Sequence, residues 1–76
     1  MYTDRIELNP KVCSGRPVIK GTRIPVAVIV ELLAAGQSWA DVLRGYPELS
    51  EDDIRAALQY ASAAIEHTEF AESARE

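Results

Sequence analysis

From Val26 to Ala35 the chain reads VAVIVELLAA, nine apolar residues in ten with only Glu31 charged, and Gly36 follows. The "ELLAAG" ending predicts a helix closed by a glycine, although the β-branched start would also suit a strand. A helix apolar nearly all round is buried on more than one side. Beyond it the pattern becomes amphipathic. Ser38 with Asp41 forms a Ser-x-x-acid cap, and Trp39, Val42, Leu43 and Tyr46 then follow the i, i+3, i+4, i+7 spacing of one helical face until Gly45 and Pro47 stop it. Ser50 with Asp53 repeats the cap, Leu49 and Ile54 occupy the two positions of a hydrophobic staple, and Ile54, Ala57, Leu58, Ala61 and Ile65 make the expected inner stripe.

The first third has a different rhythm. "IEL" at 6–8 alternates as a short half-buried strand does, and "NPKVCSGR" at 9–16 is turn-rich. In "VIKGTRIPV" β-branched residues flank Gly21-Thr22, which predicts paired strands at Val18–Lys20 and Arg23–Pro25 around a type II′ turn. Pro25 has no donor, so its strand must be an edge there or already be entering the next element. The expected fold is mainly α: a small N-terminal β-hairpin or short strands, then a three-helix, helix-turn-helix-like unit. It divides as one domain over 1–67 (β arm 1–26, three-helix unit 27–67) and a frayed or flexible tail over 68–76.

Size and composition sharpen this picture. At 76 residues, a lone domain buries only about 60–65% of its unfolded surface. Cys13 is the single cysteine and His67 the single histidine, so neither a disulfide nor a His/Cys metal site is expected to brace the core. Self-association is the remaining route, with Val28, Ile29, Leu32 and Leu33 as candidate dimer-interface residues. A lone thiol, no signal-like start and no membrane-length apolar run point to the cytoplasm.

The net charge of −4 is unevenly spread. Residues 1–25 carry five Lys/Arg against two acids, and residues 26–76 carry three Arg against ten acids. The sequence is a basic third followed by an acidic two-thirds.

Catalysis finds little support in these residues. Glu51, Asp52 and Asp53 are consecutive, so on a helix they point about 100° apart and do not converge on one ion. Acids there suit the macrodipole. His67 has no partner at ligand spacing, and Cys13 has no evident base. "GRPVIKG" lacks the Lys-Ser/Thr pair of a phosphate-cradling loop. No catalytic residue, metal or cofactor is assigned. Trp39 and Tyr46 read as core rather than as base-stacking residues.

For nucleic acid, a helix-turn-helix would present Glu51, Asp52 and Asp53 at the start of its second helix, where phosphates would repel them. Only Arg55 and Gln59 on that helix have readout chemistry. DNA contact would therefore come from Arg5, Lys11, Arg16, Lys20, Thr22 and Arg23, and a dimer would offer ten such cations. Phe70 lies in a polar, acidic context with Glu66, Glu69 and Glu72, and this group is the candidate partner-binding segment.

The run "GRPVIKGTRIPV", then "LLAAGQS", then "YPELSEDDIRAALQYA" resembles the domain of unknown function numbered 433 from about Ile6 to Ala61. Gly15, Arg16, Pro17, Gly21, Thr22, Arg23 and Pro25 carry the match. The resemblance implies a homodimeric antitoxin of a type II toxin–antitoxin pair, partnered with a PIN-like ribonuclease toxin and repressing its own operon by binding operator DNA. The alternative is a small dimeric protein-interaction module that never touches nucleic acid.

Overall fold

A computed structural model describes residues 2–67. Ile6–Glu7 (β1) and Val18–Ile19 (β2) form an antiparallel pair, with Ile6 opposite Ile19 and Glu7 opposite Val18. A 3-10 turn over Tyr2–Arg5 leads into β1. Three helices follow: α1 over Val26–Ala34, α2 over Trp39–Gly45 and α3 over Glu51–His67. The expected architecture is the observed one, and the helix forecast for the VAVIVELLAA run holds.

The strand pairing corrects the expectation. The regular partner of Val18–Ile19 is Ile6–Glu7, and Arg23–Pro25 contributes only an isolated bridge from Pro25 to Val18. Two hydrogen bonds support that bridge, Ile19 N–H to the Ile24 carbonyl at 3.0 Å and Val26 N–H to the Pro17 carbonyl at 2.9 Å. The turn differs too. Thr22 N–H donates to the Ile19 carbonyl at 3.0 Å, which places Lys20 and Gly21 at its centre. Gly21, at φ +83°, is the second central residue, as in a type II turn, rather than the first residue of a type II′ turn. Pro25 behaves as its chemistry requires: it sits at the edge and is also the N-cap of α1.

α1 starts without a side-chain cap. Its first N–H is instead satisfied by the Pro17 carbonyl. It ends in a Schellman motif: Gly36 at φ +99° donates to the Leu33 carbonyl and Gln37 to the Leu32 carbonyl. Both predicted capping boxes form. Ser38 and Asp41 exchange bonds of 3.1 and 3.0 Å, and Ser50 and Asp53 exchange bonds of 3.0 and 3.3 Å.

The core lies where β2 and the three helices meet. Ile19, Ile29, Val42, Ile54 and Ala57 are essentially sealed, with Val26, Ile24 and Leu49 around them. The staple pair Leu49 and Ile54 are both in this core. Two expectations need correction. The helical spacing predicts Ile65 in the inner stripe of α3, yet it is 59% exposed, because α1 is too short to cover the last turns of a 17-residue helix. The apolar run predicts Ile29 at a dimer interface, yet it is fully buried in its own chain. Leu32 and Leu33 are half-buried against the same core. No helix is long and apolar enough to cross a membrane among the described residues.

Candidate nucleic-acid interface

The basic segment is held by hydrogen bonds that leave its charges outside. The Thr22 hydroxyl donates to the Ile19 carbonyl at 2.7 Å and accepts from Ile24 N–H at 3.0 Å. Thr22 therefore builds the turn, with its side-chain oxygen already engaged. Lys20 N–H donates to the Arg5 carbonyl at 2.8 Å, so the turn hangs from the residue preceding β1. The Cys13 thiol faces the Arg23 carbonyl at 3.5 Å, linking the preceding loop to the far side of the turn. That loop is conformationally unusual: Cys13, Ser14 and Gly15 have φ of +49°, +59° and +83°.

The five described arginines divide into two groups. Arg5 Nη1 meets Asp53 Oδ1 at 2.9 Å, with Asp52 at 3.6 Å. Arg55 pairs with Asp52 at 3.2 Å and lies 5.4 Å from the centre of the Trp39 ring. Arg44 pairs with Asp41. Arg16 and Arg23 are exposed, as are Lys11 and Lys20, and among the described residues none of these four has a carboxylate within ion-pair distance. Of the sequence candidates, Arg5 and Arg55 are thus internally paired, whereas Lys11, Arg16, Lys20 and Arg23 face solvent. Gln59 is also exposed, on α3 and away from the turn in sequence.

Acids stand near the turn without closing on it. Lys20 shares a polar depression with Asp4, Arg5 and Asp53. Arg23 shares another with Glu7 and Glu48. The first turn of α3 presents exposed Glu51 and Asp52, so the structure keeps the expected obstacle to groove reading by that helix. Sequence reasoning missed the commitment of Arg5 to Asp53. Nothing local signals it, because the two lie 48 positions apart.

Elsewhere, the Asp41 carboxyl is held below its ordinary range, first by the Ser38 backbone N–H, then by the Ser38 hydroxyl and the Arg44 charge. Among the described residues no three His, Cys, Asp or Glu side chains could hold a metal ion. Glu66 is exposed on the last turn of α3. Phe70, Glu69 and Glu72, the rest of the candidate partner-binding segment, lie outside the described residues.

The molecule is thus a small helical unit that carries a cationic β-turn on its outer surface. It belongs to the family described as "Protein of unknown function (DUF433)", whose match covers residues 6–61. It is 40% identical over 55 residues to the uncharacterized protein y4eO of Sinorhizobium fredii (strain NBRC 101917 / NGR234), across 72% of this chain and 25% of that protein. It also resembles the crystal structure of a DUF433 member from Anabaena variabilis ATCC 29413. There the TM-score is 0.77 and the identity 35%, covering 82% of this chain and 61% of the other. The chain therefore spans about a quarter of the curated relative and under two-thirds of the solved one.

Proposed function

We propose that this chain is the antitoxin of a type II toxin–antitoxin pair. In this reading it is a cytoplasmic, non-enzymatic homodimer that neutralises a PIN-like ribonuclease and binds operator DNA to regulate its own operon. The observation that carries the DNA contact is the separation of cations among the described residues: Lys11, Arg16, Lys20 and Arg23 are exposed with no described carboxylate at ion-pair distance, whereas Arg5, Arg44 and Arg55 are paired. With Arg5 engaged, a dimer offers eight such cations rather than ten. The contact is to phosphates through the β-turn, with α3 turned away by its own acids. The antitoxin role is supported by the motif resemblance and by the acidic balance of the helical part, which complements a nuclease surface that must be basic to hold RNA.

Two measurements test this reading. Co-expression with the ribonuclease encoded beside it should yield a stable complex that lacks nuclease activity. Titration of its own promoter should show log K falling steeply with log salt. A free toxin in the presence of the full chain would sink the first part, and a flat salt profile the second.

The alternative is an interaction module without nucleic-acid binding. Asp4 and Asp53 beside Lys20, and Glu7 and Glu48 beside Arg23, favour it by weakening the positive potential at the turn. That reading predicts toxin capture together with the flat salt profile.

A further inference from the structure

Between α1 and the C-terminal half of α3 runs an apolar groove of about 380 Å³. Ala27 and Val30 line it from α1, and Tyr60 and Ile65 from α3, with Arg16 and Glu31 at its border. Its lining on α1 is a stripe at helical spacing, Ala27, Val30 and Glu31, which begins at the buried Val26 and leaves out Ile29. Ile65 and Leu8 are the two large apolar side chains left exposed among the described residues, and Ile65 lies in this groove. Exposed apolar surface bordered by polar groups marks an interaction site.

The border identifies the partner. Arg16 and Glu31 are both exposed, and neither forms an ion pair among the described residues. In an isologous interface, residue i of one copy meets residue j of the other, and j meets i. One cation and one anion lining the same apolar floor satisfy this condition with a single pair used twice. An acidic partner would match only the Arg16 side, and a basic one only the Glu31 side.

We propose that a second copy of this chain docks in the α1–α3 groove about a two-fold axis, with Ile65 in the seam and Arg16 of each copy facing Glu31 of the other. This deepens the reading above by naming the face that pairs. It moves the interface from Val28, Ile29, Leu32 and Leu33 to the Ala27, Val30 and Glu31 stripe of α1. It also places Arg16 in the dimer seam, so that six of the eight cations, Lys11, Lys20 and Arg23 of each copy, are left for phosphates. Oligomeric state is measured without toxin or DNA, so failure here is distinct from failure of the antitoxin reading.

Light scattering and sedimentation of the full chain at micromolar concentration should give twice the monomer mass of 8.4 kDa. Arg16→Glu and Glu31→Arg should each weaken pairing about tenfold or more, since each variant sets like charges opposite each other twice. An equimolar mixture of the two should restore pairing as a heterodimer, and the double variant should restore it as a homodimer. Ile65→Asp should weaken pairing at least as much while the helical circular dichroism of the monomer persists. A parent chain that is monomeric, a dimer indifferent to Ile65→Asp, or single charge variants that the mixture does not rescue would each overturn the proposal. A monomer that pairs only after removal of residues 68–76 would place the chain's own tail in the groove and overturn it equally.

Discussion

Arg5 Nη1 donates to Asp53 Oδ1 at 2.9 Å while the other oxygen of that carboxylate accepts from Ser50 N–H at 3.0 Å. Asp53 is only 8% exposed, so one nearly buried carboxylate both starts α3 and fastens the N-terminal segment to it. Arg5→Ala should lower unfolding stability by about 1 kcal/mol. Asp53→Ala should cost about 2 kcal/mol, because the cap goes with the ion pair. A double-mutant cycle in urea should give a coupling energy of about 0.5–1 kcal/mol. Strict additivity would show that the pair is incidental.

The second capping box makes a pH-dependent prediction. Asp41 is ionised more readily in the fold, chiefly through the Ser38 N–H bond, so its contribution is present above the unfolded carboxylate pKa and is lost as pH falls through the lowered folded value. Asp41→Asn should therefore be less stable than the parent at neutral pH. The gap should close as pH drops below about 4. Urea midpoints at neutral and acid pH test the sign. A gap that widens in acid would contradict it.

Two glycines should respond oppositely to alanine. Gly21 has open space around it but φ of +83°, so Gly21→Ala should destabilise by about 1–2 kcal/mol through backbone strain alone. Gly45 closes α2 at negative φ with nothing near a new methyl group. Gly45→Ala should stabilise by about 0.5–1 kcal/mol. Melting temperatures moving in opposite directions are the expected readout.

Charge removal at the turn separates structural from contacting cations. Lys20→Ala or Arg23→Ala should reduce the salt slope of operator binding by about one unit per lost phosphate contact with little change in stability. Arg5→Ala should do the reverse, lowering stability and leaving the slope unchanged. Equal slopes in all three variants would mean that the turn does not touch phosphate.

Much of this fold was legible because its signals are local. The serine caps, the Leu49–Ile54 staple and the Gly36 stop each act within about one helical turn, and each forms as expected. Tertiary choices were less legible. The β-branched residues around Gly21 suit a strand on either side, but only the placement of Ile6 and Glu7 decides which partner Val18 and Ile19 take. Helical periodicity assigned Ile65 to the inner stripe, and the length of the neighbouring helix left it outside. The basic cluster was visible in composition, whereas the loss of Arg5 from it depends on a contact across 48 positions.

Lys20 N–H is bonded to the Arg5 carbonyl, and Arg5 to Asp53, so the cationic tip works as a lever pivoting on the first turn of the longest helix. Amide hydrogens at Lys20 and Asp53 should then exchange with deuterium at a shared rate, because one opening event releases both. Any ligand that clamps the tip would slow fraying of a helix end it never touches.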